Sequence, residues 1–284
     1  MKKIRSTDLI LQDGAVYHLG IRPENLASKI ITVGDPDRVS EVSKHLDVID
    51  FTHRHREFVT HTGRLGNQRI TVISSGMGTD NIEILMTELD ALVNVNQETM
   101  EANQVLQSLD IIRVGTSGSL QPDIPVDSIL ASEIAFGMDS LMCFYPYKHK
   151  DQDLKLAEAL KEMAEIPFLP CIVRADNQLL TQISKGMIRG NTLTCPGFYA
   201  PQGRSVRLSP GKENLLEAYR NFQFGNIRLT NFEMETAGYY AMGELLGHRM
   251  LSINAIVANR ANDEFSRNAA ACIQKAILMV LERL

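Results

Sequence analysis

Two acids flank a methionine in the hexapeptide NFEMET, residues 231–236, just ahead of a helical pattern. Acids suit a helix N-terminus, where the backbone dipole leaves positive charge, so either Glu233 or Glu235 can be structural. A carboxylate can also accept two hydrogen bonds from a vicinal diol, which would aim one of the pair at a ligand rich in hydroxyls. Anion chemistry is suggested elsewhere in the chain. VGDPDR, SSGMG and VGTSGS each follow a β-branched run, and glycines with small hydroxyl residues just past a strand let backbone N–H groups turn toward an anion. None of them is a Walker A or dinucleotide fingerprint. Arginines accompany these loops: Arg38 after GDP, Arg56 in HREF, and Arg113 inside an apolar strand. A guanidinium within a strand is expensive unless a carboxylate or a bound anion fills its fork, and phosphate oxygens suit that fork well.

The elements that must position these groups are legible as alternating patterns. KIITVG (29–34), RITVIS (69–74), DIIRVG (110–115), DSILAS (127–132) and MLSINAIVAN (250–259) read as buried strands. In DNIEILMTELDALV, Ile82, Leu85, Met86, Leu89 and Val93 share one helical face, and Asp80 is placed to cap the start. Similar helical patterns occupy about 151–165, 212–221, 235–246 and 265–284. Strands alternating with helices argue for an α/β sandwich around a central sheet, with ligands at the carboxyl ends of the strands. No low-complexity linker interrupts the chain, so a single domain spanning 1–284 is expected, with 1–16 as an N-terminal extension.

Composition narrows the class. The 284 residues are 44% hydrophobic and 22% charged, with a net charge of −5 and no long basic block, so nucleic acid and membrane are not the expected partners. The four cysteines are scattered without metal-ligand spacing and read as reduced thiols. No adequate apolar run follows Lys2 and Lys3, so no secretory leader is expected and a cytoplasmic protein is. His53, His55 and His61 lie in a strand-like stretch without an accompanying acid or cysteine, which argues against a metal site.

YHLGI, VGDPDRV, HREF, SSGMG, RVGTSG, FYAPQGR and NFEMET occur in the order found in the nucleoside phosphorylase-I family. The chain resembles most closely that family's uridine phosphorylase branch. The resemblance runs from about Tyr17 to the final helix; each motif is short, and the ordered set is specific. It implies a single-domain three-layer α/β/α sandwich with a central mixed, partly barrel-like sheet. It also implies a pentosyltransferase that cleaves uridine reversibly with phosphate, in nucleoside salvage.

By the same resemblance, Gly34, Arg38, Arg113 and Thr116 would hold inorganic phosphate, completed by Arg56 from a neighbouring subunit. His18 would also come across that interface, to the ribose 5′-hydroxyl. Glu235 would bind the ribose 2′- and 3′-hydroxyls with Met234 packed against the sugar. Phe198 would stack on the base, Gln202 and Arg204 would read the uracil edge, and Gly118 and Glu233 would line the base pocket. The catalytic set would be Arg38, Arg113 and Arg204, with phosphate as co-substrate and no organic cofactor. Uracil presents acceptor, donor, acceptor; Gln202 offers both kinds of group and Arg204 offers donors, so the pair can match that edge.

The match departs in places. Bacterial relatives often hold a monovalent cation between subunits with a glutamate and a serine; Glu57 matches the first, but Asn81 stands where the serine is expected, which leaves potassium open. Residues 93–110 form a longer link than in hexameric bacterial members, which bears on whether a hexamer or only a homodimer with shared sites forms. Purine enzymes of the family place an acid late in the chain, where IVANRAND offers Arg260, with Asp263 further on. A purine nucleoside phosphorylase and a non-catalytic nucleoside-binding protein are the alternatives to the uridine reading.

Overall fold

The computed structural model describes residues 3–284; Met1 and Lys2, part of the expected N-terminal extension, lie outside the described residues. In chain order the main elements are β1 (Lys29–Val33), α1 (Arg38–Ser43), β2 (Val48–His55), β3 (Phe58–Leu65), β4 (Gln68–Ser74), α2 (Thr79–Asn94) and β5 (Asp110–Ser119). There follow β6 (Ile129–Gly137), α3 (Asp151–Met163), β7 (Cys171–Arg174), α4 (Asn177–Ile183), β8 (Ile188–Thr194) and α5 (Leu215–Asn221). The chain ends with β9 (Asn231–Glu233), α6 (Thr236–Leu246), β10 (Arg249–Asn259), β11 (Glu264–Phe265) and α7 (Ala269–Leu281). They gather into two compact units, one from the chain up to Ile112 with Met242–Arg249, the other from Arg113–Ala241 with Met250–Leu284.

In the first unit β1 and β4 are parallel, Lys29 opposite Ile70 and Val33 opposite Ser74. From Ile30 to Val33 the β1 side chains are buried, Thr32 among them, while Lys29 at the strand's start is half-buried. The parallel register sets the strand ends, Gly34 and the Ser75–Gly76 turn, side by side. Strand β3 continues the sheet antiparallel to β4, and β2 pairs with β3 at the edge. Helix α2 buries Ile82, Leu85, Met86, Leu89 and Leu92. Its N-cap is Gly78 at φ 93°, and Asp80 lies in the first turn without capping it, which corrects the expectation drawn from the sequence. The long link after α2 is ordered: Val95–Asn96 pairs with Glu101–Ala102, and the Asn94 side chain accepts from Gln107 N and donates to Gln107 O. The backbone of Ile4 adds to it, donating to Met100 O at 2.8 Å.

In the second unit β6 and β8 are parallel, as are β8 and β9, while β10 and β7 pair antiparallel with β6. Strand β9 pairs antiparallel with β5, Phe232 opposite Gly118. Because β10 also pairs with β5, the strands β10, β6, β8, β9 and β5 form a closed circuit, the partly barrel-like mixed sheet of the expected α/β class. Helix α3 seats Leu156, Ala157 and Leu160 on Ile134, Phe136, Ile172 and Leu193, with Tyr219 and Phe222 completing the cluster. Helix α7 buries Cys272, Ala276, Ile277 and Val280, which accounts for its amphipathic pattern within the fold. It starts at Ala269, later than its pattern suggests, because Asn268 accepts from Ala271 N and so caps it. Among the described residues no helix is long and apolar enough to cross a membrane.

Candidate active site

Strands β8 and β9 run parallel, with Thr194 opposite Glu233, and their ends deliver the two acids of NFEMET to one place. Glu233 turns back on α6: its carboxylate accepts from Glu235 N at 2.9 Å and from Thr236 N at 2.9 and 3.2 Å. The Thr194 hydroxyl donates to Glu233 Oε1 at 2.7 Å and accepts from Ala237 N at 2.9 Å. The helix's first amides are thus satisfied by two side chains from strand ends. The Glu233 carboxylate is thus engaged by the first turn of α6.

Glu235 is buried as well, and its Oε2 accepts from Arg113 Nη2 at 2.6 Å. Glu233 Oε2 lies 3.1 Å from the same nitrogen. Arg113 Nη1 donates to Asn254 Oδ1 at 3.0 Å and to Ser252 Oγ at 3.2 Å, both on β10. Burial works against this guanidinium's charge, but Glu233 and then Glu235 more than offset it, and the pKa stands above the ordinary arginine value. The strand arginine therefore takes carboxylates as its counter-charge. Gly115, two residues on, makes room for it: a Cβ at Gly115 would lie 2.1 Å from Arg113 Nη1 and 2.4 Å from its Cζ. Thr116 is half-buried on the same strand, and Met234 is half-buried between the two acids.

The segment FYAPQGR folds as a short 3₁₀ turn, Ala200–Gln202, ended by Gly203 in the left-handed region at φ 68°. Arg204 then folds back: its Nη1 donates to Phe198 O at 2.6 Å and to Gln202 Oε1 at 2.5 Å. The guanidinium lies 3.8 Å from the Phe198 ring centroid and 5.6 Å from that of Phe232. Gln202 is buried at 2% exposure, an unusual place for a carboxamide without a role, whereas Phe198 is half exposed. Arg260 approaches from the end of β10, its Cζ 5.8 Å from the Phe232 ring and its Nη1 3.5 Å from Gln202 O. Partial burial, and then the mutual charge of Arg260, lower the pKa of Arg204. Gly118 lies over Phe232, where a Cβ would meet the ring at 3.1 Å. The second unit thus brings together Gly118, Phe198, Gln202 and Arg204 around Phe232, and Arg113 with Glu233 and Glu235 at the neighbouring strand end.

The first unit holds the other expected residues. Gly34 is half-buried, and Arg38 opens α1 with its amide donating to Asp35 O at 3.1 Å. Arg56 occupies the β2–β3 turn at φ 55°, a left-handed conformation rare for a residue with a side chain. Its guanidinium lies 5.4 Å over the Tyr17 ring, and that ring meets His18 edge-on at 4.9 Å. His18, Tyr17 and Arg56 therefore form one cluster. Glu57 and Asn81 flank Gly76, where a Cβ would come within 3.2 Å of Glu57 Cγ and 2.5 Å of Asn81 Nδ2. Among the described residues no three His, Cys, Asp or Glu side chains group as metal ligands.

Asn254, Ser252, Glu88 and Thr194 were not singled out in the sequence. Asn254 and Ser252 are inward-facing polar residues in an apolar strand, which is itself a signal for a buried polar partner. Glu88 lies on the buried stripe of α2 between Leu85 and Leu92, an acid where the helical period calls for a hydrophobe.

A mixed sheet with acids, arginines and a folded Gln–Arg loop at its strand ends defines the class: the Phosphorylase superfamily profile matches residues 28–284, and the chain belongs to that superfamily. It is 27% identical to a uridine phosphorylase of Thermococcus kodakarensis, over 95% of this chain and 88% of the relative. It is 26% identical to a DeoD-type purine nucleoside phosphorylase of Streptococcus suis, over 87% of this chain and 88% of the relative. A solved Trypanosoma brucei nucleoside phosphorylase, reported to show uridine phosphorylase activity, superposes with a TM-score of 0.89 at 27% identity, covering 98% of this chain and 99% of that one.

Proposed function

We propose that this chain is a uridine phosphorylase, converting uridine and phosphate reversibly to uracil and ribose 1-phosphate. The observation that carries the reading is the Gln202–Arg204 pair. Gln202 Oε1 accepts from Arg204 at 2.5 Å, which leaves the carboxamide N–H groups to donate to one uracil carbonyl. The same oxygen keeps a second lone pair for uracil N3–H, and Arg204 has further N–H groups for the other carbonyl. Phe198, half exposed beside Arg204, offers its ring to the base.

In this reading the glycosidic bond stretches as phosphate approaches C1′, and the bonding pair leaves with uracil. Phosphate, which the family resemblance assigns to Gly34, Arg38, Arg56, Arg113 and Thr116, steadies positive charge on the sugar. Arg204 and Gln202 meet the negative charge on departing uracil, and preorganised charges of this kind favour the transition state over the ground state. Glu235 accepts from the ribose diol, held in place by Arg113, and Met234 packs on the sugar. No covalent nucleophile is required.

His18 and Arg56, together in one cluster, are assigned to the site of a second copy, which makes the working form a homodimer or a higher assembly of such dimers in the cytoplasm. A purine reading rests on an acid near the base; Arg260 lies against Phe232, while Asp263 is exposed on a turn at φ 52°. That favours the pyrimidine. Chromatography of the purified protein with uridine tests the reaction: uracil and ribose 1-phosphate are expected only with phosphate present. Free ribose without phosphate would make it a hydrolase, and no product under either condition would leave a nucleoside-binding protein.

A further inference from the structure

We infer that Glu88 is the positioning residue for His18, fixing the tautomer in which His18 Nε2 accepts a hydrogen bond from the 5′-hydroxyl of the bound nucleoside. The inference rests on the nucleoside reading above and adds to it the residue that sets the ring's donor and acceptor pattern. Glu88 is 6% exposed on α2, among leucines. A carboxylate in such a place is costly unless donors satisfy it, and all of those identified come from the loop that carries His18. The His18 amide lies 3.0 Å from both carboxylate oxygens, the Leu19 amide 2.9 Å from Oε2, and the His18 ring Nδ1 2.6 Å from Oε1.

Two backbone N–H groups orient the carboxylate, and an ionised carboxylate only accepts, so Nδ1 carries the ring hydrogen. Nε2 of the neutral ring is then an acceptor. His18 has neighbours on its backbone and on its ring as well. His55 Nδ1 donates to His18 O at 2.9 Å, and Tyr17 packs edge-on at 84°. The His18 side chain keeps 30% of its surface exposed, so the ring is anchored at one nitrogen and open elsewhere. A carboxylate that only tied down the loop would need the two amides; the bond to Nδ1 adds control of the ring's proton.

Glu88→Gln is the test, because it preserves size while replacing one acceptor oxygen with a donor that must face an N–H group. Nitrogen-15 spectra of the native protein at alkaline pH are expected to show His18 as the Nδ1–H tautomer, and Glu88→Gln is expected to lose that uniformity. In kinetics, Glu88→Gln should lower kcat/KM for uridine about tenfold, the weight of one oriented hydrogen bond, and leave 5′-deoxyuridine nearly unchanged. His18→Ala should abolish the preference for uridine over 5′-deoxyuridine, and adding Glu88→Gln should shift it no further. An Nε2–H tautomer in the native protein, or equal losses on the two substrates in Glu88→Gln, would overturn the inference. If neither substrate is turned over, the functional reading fails separately, and the tautomer measurement still decides the part played by Glu88.

Discussion

Arg113 Nη2 lies 2.6 Å from Glu235 Oε2, and both side chains are buried. That contact joins the middle of a sheet strand to the start of a helix, and it sets the direction in which the second acid of NFEMET faces. Glu233 and Glu235 share the guanidinium but differ in what else they hold. The Glu233 carboxylate accepts from the helix amides and the Thr194 hydroxyl, while Glu235 Oε2 accepts from Arg113. Glu235→Gln keeps the shape and removes the charge. It is expected to reduce kcat/KM for uridine about 10- to 100-fold, the range for a hydrogen bond to a charged group. The reduction should be smaller for 2′-deoxyuridine, which lacks one of the two hydroxyls. Steady-state kinetics on the two nucleosides read this directly.

Gly115 is where the backbone makes space for that arginine. A Cβ there would lie 2.1 Å from Arg113 Nη1, so Gly115→Ala must displace the guanidinium from its carboxylates. Overpacking alone costs about 1–3 kcal/mol, and the disturbed ion pair adds to it. Urea unfolding is expected to show a lower midpoint, with activity falling by more than the folded fraction does. Unchanged stability would mean that Arg113 has a second arrangement of equal energy.

Much of this architecture was legible because its strands are short, apolar and bounded by glycines. The run at 29–34 and the run at 250–259 appear as β1 and β10 within a residue of their patterns. The β2–β3 hairpin was legible only as a strand-like stretch around its histidines, because VIDFTHRH mixes charged and apolar residues on an edge strand whose side chains are exposed or half-buried. Strand β9 is three residues long, too short for any period to register. The expectations of a strand at 127–132 and of a helix from 212 erred at their edges: β6 continues to Gly137 in the sheet, and α5 begins at Leu215. In the candidate site, the residue types and their order singled out the arginines, the Gln–Arg loop and the acids. They did not carry which acid faces the helix, since that depends on Thr194 arriving opposite Glu233 from a distant strand.

Arg204 is the side chain best placed to take charge from the leaving base. Arg204→Ala should lower kcat on uridine about 100- to 1000-fold, the scale of losing one preorganised donor to developing negative charge. Phosphate binding should persist, as measured by calorimetry with inorganic phosphate. Retained turnover would take Arg204 out of the mechanism.

Cys195 lies under the same loop, fully buried, with Sγ 3.5 Å from Pro201 O. Burial, and then the Glu233 charge, push its thiol pKa well above the ordinary value, so it stays protonated and unreactive at working pH. Cys143 is exposed. Mass spectrometry after brief alkylation at pH 8 is expected to find Cys143 modified and Cys195 untouched until denaturant is added. Early labelling of Cys195 would show that the FYAPQGR segment opens readily in solution.

The central claim is that the buried Gln202, held by Arg204, reads a uracil edge. It is tested most directly by ultraviolet assays of uridine and inosine side by side at saturating phosphate. Phosphate-dependent loss of uridine is predicted with kcat/KM at least about a hundredfold above inosine, a floor well under the ~10⁴–10⁵ that a hydrogen-bonding site can impose on a substrate lacking the matching groups. Equal or faster cleavage of inosine would contradict it and return the base site to the purine reading.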